Sequence, residues 1–220
     1  LETGKAASNV NLLQNGSFGN SAEWAIGNFH THKGDTLHPG VIEVTAAANS
    51  MKRASQTVPI SGPASDTYLL SGWAWAPSVA NTESKLTDAT AENNTSKRYF
   101  GLIAKCTYTD ATKEYFYMPF NDDYNGWQYA SCVIAPKKDN QSKTIQSITV
   151  IAAYDCNANT VWFDSISLRQ EPCTTYTYDS KGNITAVNAT GNSAGNFTYA
   201  AGSSRLTKST AESTGTYEYA

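Results

Sequence analysis

Tyr68-Leu69-Leu70-Ser71-Gly72-Trp73-Ala74-Trp75-Ala76 is the stretch whose alternation decides the fold. Successive side chains of an extended strand point to opposite faces, so Tyr68, Leu70, Gly72 and Ala74 share one face while Leu69, Ser71, Trp73 and Trp75 share the other. Around it the same pattern predicts further short strands at 41–45, 54–59, 99–109, 114–120, 128–135, 147–154 and 161–168. Turn-forming clusters at 49–50, 61–66, 121–126, 136–142 and 157–159 separate them. No helical period extends beyond a turn or two. Many short strands divided by such turns predict an all-β two-sheet sandwich or jelly roll over residues 11–171, after an N-terminal extension at 1–10. The polar stretch 81–97 reads as a long surface loop, or as a loop carrying one short helix.

Alternation also assigns outward positions on the neighbouring segments. Phe100, Leu102, Ala104 and Cys106 read as core and leave Lys105 and Thr107 outside; Phe116 and Met118 read as core and leave Tyr115 and Tyr117 outside. Placing Ala130, Cys132 and Ile134 inside leaves Tyr129 outside. Trp73, Trp75, Lys105, Tyr115, Tyr117 and Tyr129 are then expected to form one aromatic stripe across adjacent strands. Flat rings that cover the apolar side of a pyranose, beside a group that reaches its hydroxyls, are what a sugar-binding face requires.

The tail is organised differently. Tyr176-Thr177-Tyr178-Asp179-Ser180-Lys181-Gly182-Asn183-Ile184-Thr185-Ala186-Val187 is echoed by Phe197-Thr198-Tyr199-Ala200-Ala201-Gly202-Ser203-Ser204-Arg205-Leu206-Thr207, and Tyr217-Glu218-Tyr219 opens a third copy. Each full copy pairs an aromatic-x-Tyr strand start with a Gly-bearing turn and a short β-branched run, which predicts repeating β-hairpins over 172–220. Repeats of about twenty residues stack to bury what one unit cannot bury alone, so the array is expected to continue in a longer protein. Tyr-Thr-Tyr-Asp-Ser-Lys-Gly-Asn-Ile-Thr resembles the Tyr-Asp (YD) repeat of Rhs and wall-associated proteins, and that resemblance implies a large bacterial surface or secreted polypeptide.

Composition fits this picture. The chain has 220 residues, 40% of them hydrophobic, with thirteen Tyr and five Trp, enough to bury a core and weighted towards strands. A net charge of −3 without long charge runs gives no footprint for nucleic acid or an anionic membrane. No apolar run approaches the ~18 residues of a membrane span, and an export signal is expected upstream. Cys106, Cys132, Cys156 and Cys173 lack the paired short spacing of a zinc site. An even count in an extracellular setting permits two disulfides. Cys156 with Cys173, flanking one predicted hairpin, and Cys106 with Cys132 across the sheet are the expected pairs, with buried free thiols as the alternative.

Asn11-Leu12-Leu13-Gln14-Asn15-Gly16-Ser17-Phe18 followed by Trp24, Ser55-Gln56-Thr57-Val58, the 68–76 strand, Gly126-Trp127-Gln128 and Val161-Trp162-Phe163-Asp164-Ser165-Ile166-Ser167-Leu168 occur in this order. Together they resemble the galactose-binding-like jelly-roll carbohydrate-binding modules. The resemblance implies that the face carrying Trp73 and Trp75 is exposed and concave, that Trp24, Trp127 and Trp162 are structural, and that a calcium is bound with Asp164 as a ligand. Gly19 stands where such modules carry a second acid, and Glu43 is the candidate substitute.

Catalytic patterns are weak. His30, His32 and His38 with Asp35 read as solvated loop residues, a glycosidase pair from Asp122 or Asp123 with Asp155 needs a defined separation that sequence does not show, and no nucleophile elbow or phosphate loop occurs. The sequence therefore predicts a non-catalytic, secreted or wall-associated module that binds polysaccharide and is joined to a repeat polypeptide. A structural spacer or protein-adhesion domain that caps the repeats and binds no sugar is the alternative.

Overall fold

In the computed structural model the described residues are 10–47, 50–79, 97–171, 174–189, 195–211 and 215–218. The predicted loop or helix at 81–97 and Cys173 fall almost wholly outside them. The chain divides into two compact units, residues 10–169 and, towards the C-terminus, 170–220.

The first unit is a jelly-roll sandwich of two antiparallel sheets. Strands β1 (His30–His32), β2 (Val41–Ala46), β9 (Asn159–Glu171), β4 (Thr67–Trp75) and β7 (Gln128–Ile134) form one sheet in that order. Strands β3 (Arg53–Pro63), β8 (Thr144–Asp155), β5 (Tyr99–Tyr108) and β6 (Lys113–Pro119) form the other. From β3 onward the chain crosses repeatedly between the sheets, so that only the β5–β6 hairpin keeps sequence neighbours paired within the sandwich after β2.

Burial follows the alternation. Tyr68, Leu70, Ala74, Ile134, Val161, Phe163, Ile166 and Leu168 face inward from the first sheet and Leu102, Ala104, Cys106, Ile148, Val150, Ala152 and Tyr154 from the second, all closed from solvent. Gly72 belongs to the inner set because space runs out there: a Cβ would lie 3.0 Å from Leu102 Cδ1 and 3.3 Å from Ile166 Cγ1. On β9 the alternation slips by one at Ser165, whose φ of 49° adds a residue to the outer side. Asp164 Oδ1 accepts the Ser165 amide at 2.5 Å across that kink. The bulge lets Phe163 and Ile166 both point into the core.

The second unit is a meander of β10 (Thr174–Tyr178), β11 (Ile184–Ala189), β12 (Gly195–Tyr199), β13 (Leu206–Ala211) and β14 (Gly215–Glu218), each paired antiparallel with the next. Two hairpins repeat the same geometry. Tyr178 lies opposite Ile184 and Tyr199 opposite Leu206, each after a one-residue register shift, and Gly182 and Gly202 take the positive φ of the turns. The hairpins are stitched together by Tyr199 Oη donating to Ile184 O at 2.9 Å and by the Lys181 ammonium donating to Gly202 O.

Candidate functional site

The outer face of the first sheet carries a continuous row of rings. Trp73 and Trp75 project outward from β4 and are half-buried. Register places Tyr129 of β7 opposite Trp73, with centroids 5.4 Å apart and planes tilted 52°. Tyr129 is 54% exposed, so the row opens to solvent at that end. On the other flank Trp162 of β9 lies 5.0 Å from Trp75 at 32°. Trp127, just before β7, closes the row 6.1 Å from Trp75.

Loops hold the rings in place. Asp35 folds the 35–38 turn by accepting the Leu37 and His38 amides on Oδ1 at 2.9 and 2.8 Å, and it takes the Trp127 indole N–H on Oδ2 at 3.2 Å. That turn inserts His38, 6% exposed, beneath the row. Its ring stacks on Trp127 at 3.8 Å and 22°, touches Trp73 at 5.2 Å, and reaches Asp164 Oδ2 through Nδ1 at 2.8 Å. Across the sheet Gln128 closes the 121–127 loop by bonding both the amide and the carbonyl of Asn121, and Asn125 Oδ1 accepts the Trp75 indole at 3.0 Å. Glu43, opposite Trp162 in register, accepts its indole N–H at 2.5 Å and meets His30 Nε2 at 3.1 Å. The carboxyl of Asp35 titrates below the ordinary range, chiefly because the His38 amide donates to it.

The face offers several flat rings, fixed by hydrogen bonds, with a carboxylate or amide at their edges. Three of its four indole N–H groups, those of Trp75, Trp127 and Trp162, are donated to the protein itself; among the described residues the N–H of Trp73 is not.

The expected single stripe is divided by the structure. Trp73, Trp75 and Tyr129 lie together, but Lys105, Tyr115 and Tyr117 lie on the second sheet, on the opposite side of the sandwich, where Lys105 faces Tyr115 and Ile103 faces Tyr117. Tyr115 and Tyr117 pack there against Tyr99, Ile103, Ile151 and Ala153. The parity of each strand was correct; the sheet to which β5 and β6 belong was not readable from it.

Trp24, expected to be structural, is core, its ring 5.0 Å from Phe18 and its N–H on Gln14 O at 3.1 Å; Trp127 and Trp162, also expected to be structural, lie in the outer row with their N–H groups on Asp35 and Glu43. His38 is buried rather than solvated. Outward parity of Trp162, between core Val161 and Phe163, was a signal for the row; nothing local marked His38.

Cys106 and Cys132 are free thiols on different sheets, not a disulfide. Burial pushes the Cys106 thiol up to about 12 and raises that of Cys132, so both hold less thiolate for exchange than an exposed cysteine. Cys156 is buried, and its expected partner Cys173 lies outside the described residues.

Asp164 and Glu43, the two carboxylates considered for calcium, both face hydrogen-bond donors: His38 and the Ser165 amide in one case, Trp162 and His30 in the other. A hard cation wants six to eight oxygens, and no group of three or more His, Cys, Asp or Glu is gathered for a metal among the described residues. Among the described residues no helix is long and apolar enough to cross a membrane.

No family model matches the chain. It is similar to tRNA nuclease WapA of Bacillus subtilis strain 168, with 31% identity over 193 residues, 83% of this chain and 8% of that protein. Its similarity to the tRNA(Glu)-specific nuclease WapA of Bacillus subtilis subsp. natto strain BEST195 is the same in identity and extent, covering 7% of that protein. The chain thus spans less than a tenth of the length of these curated relatives. Among solved structures, a family 16 carbohydrate-binding module aligns over 72% of this chain and 99% of its own at 15% identity, TM-score 0.49. The CBM22-1 xylan-binding domain of Paenibacillus barcinonensis Xyn10C aligns over 73% and 90% at 10% identity, TM-score 0.43.

Proposed function

We propose that residues 10–169 form a non-catalytic carbohydrate-binding module that holds a glycan against the row Tyr129, Trp73, Trp127, Trp75 and Trp162. The observation that carries this reading is the row itself: five rings on one sheet face, Tyr129 with Trp73 at 5.4 Å and Trp75 with Trp127 and Trp162 at 6.1 and 5.0 Å, the two groups joined by His38 packed between Trp73 and Trp127. Rings preset by hydrogen bonds lose little conformational freedom when a pyranose settles on them. In this reading the module belongs to a large secreted or wall-associated protein, and the hairpins of residues 170–220 begin its YD-repeat region. The matched relatives are named as tRNA nucleases, and we assign nuclease chemistry to parts of such proteins other than this segment, whose task is attachment.

One observation favours a structural spacer instead. Three indole N–H groups are satisfied internally, as they would be if the row served only to pin the loops 33–40 and 121–127 to the sheet. A panel of soluble polysaccharides in affinity electrophoresis separates the two. Retardation by at least one glycan, lost in Trp73→Ala, supports binding; migration unchanged by the whole panel leaves the spacer.

A further inference from the structure

The edges of the ring row are acidic. The groups that hydrogen-bond its rings are the carboxylates of Asp35 and Glu43 and the amide of Asn125; the imidazole of His30 meets Glu43, and that of His38 pairs with the buried Asp164 beneath the row. Asp35 lies at the surface and Glu43 is partly open, so their charge is felt outside the protein. The indole donors of Trp75, Trp127 and Trp162, which could have received an anionic or acceptor-rich ligand, are already committed to Asn125, Asp35 and Glu43. Besides the N–H of Trp73, what remains outward is ring faces, which carry negative quadrupole potential, flanked by anionic oxygens. Both attract a cation, and an ammonium over an indole face gains where a carboxylate would lose.

We propose, on the basis of the glycan-binding reading above, that this face selects a glycan whose sugars carry free amino groups, in preference to uncharged or acidic ones. An amino sugar keeps the apolar pyranose face that stacks on Trp73 and Trp75 and adds an ammonium that lies near Asp35 or Glu43. A neutral sugar has the stacking alone. An acidic sugar sets its carboxylate against those of the rim, and like-charge contact of this kind discriminates strongly between ligands.

The test uses the 220-residue chain and three polymers: chitosan, the same chitosan after chemical N-acetylation, and polygalacturonate. Retention on chitosan should exceed that on its acetylated form about threefold to tenfold at low salt, and the excess should shrink at ~0.5 M salt because screened exposed charges lose their reach. Asp35→Asn with Glu43→Gln removes both rim charges and should bring the ratio of chitosan retention to acetylated-polymer retention down to about one. Equal or stronger retention of the acetylated polymer, or binding to polygalacturonate, overturns the selectivity and leaves the glycan-binding reading intact. Undiminished chitosan retention by Trp73→Ala/Trp75→Ala marks general attraction to an acidic chain and also overturns it. Migration unaffected by all three polymers and by the wider panel overturns the glycan-binding reading itself.

Discussion

Replacing His38 by alanine removes the piece that joins the 35–38 turn, the 121–127 loop and β9 beneath the ring row. His38 Nδ1 meets Asp164 Oδ2 at 2.8 Å, and Asp164 is 2% exposed. Without the imidazole that carboxyl is left closed from water, with the Ser165 amide still donating to its other oxygen. Breaking a buried pair from one side costs about 3–5 kcal/mol, and the retained amide places this case near the lower end, about 3 kcal/mol. Loss of the 3.8 Å stack on Trp127 adds about 1 kcal/mol. For a unit of about 160 residues each kcal/mol moves Tm by about 2–4 °C. His38→Ala should therefore melt about 8–16 °C lower in a calorimetric or circular-dichroism scan. Because much of the cost is the stranded carboxyl, His38→Ala/Asp164→Ala should be destabilised by at least ~1 kcal/mol less than the sum of the single variants. A His38→Ala shift under ~2 °C, or strict additivity in the cycle, would refute the reasoning.

Gly72→Val adds side-chain atoms where even a Cβ lies 3.0 Å from Leu102 Cδ1, so overpacking should destabilise by about 1–3 kcal/mol, read as a lower midpoint in urea at unchanged m-value. In a thiol-reagent titration at pH 8 Cys106 and Cys132 should stay unreactive in the native protein and react after denaturation without reductant; fewer than two thiols in the denatured sample would contradict the assignment. The Asp35 carboxyl, held below its usual range first by the His38 amide, contributes stability that is present above the unfolded carboxylate range and lost as pH falls through the folded value. A carbon-detected titration should accordingly find its midpoint below the 3.8 of an unperturbed aspartate; a midpoint at or above that value would mean the 35–38 turn is not formed as described.

How much of this was legible in the sequence depended on how far apart the partners lie. The parity of Tyr68 to Trp75 gave the buried and outward sets without error at Tyr68, Leu70, Gly72, Ala74, Trp73 and Trp75, because alternation is a local property of the strand. Ser71 is the exception, outward in register yet nearly closed off. Sheet membership is not local. Trp73 finds Tyr129 only when β4 pairs with β7, and Glu43 finds Trp162 only when β2 pairs with β9, so the row had to be assembled by topology. The same limit merged Tyr115 and Tyr117 with the wrong sheet. His38 was misread because a buried side-chain pair with Asp164, between a loop and a bulged strand, leaves no period in either segment. The tail hairpins were readable for the opposite reason: their turns and pairings repeat within about twenty residues.

Binding by the ring row is tested most directly with Trp73→Ala/Trp75→Ala against the unaltered chain, measuring affinity for a retained polysaccharide together with Tm. Two central stacking rings together carry about 2 kcal/mol of binding, so affinity should fall about thirtyfold or more. Both side chains lie outside the core but make four ring contacts worth about 1 kcal/mol each, so Tm should also fall by about 8–16 °C, and affinity is compared at a temperature where both chains are folded. Affinity kept within about twofold by the folded variant would contradict a glycan platform on this face.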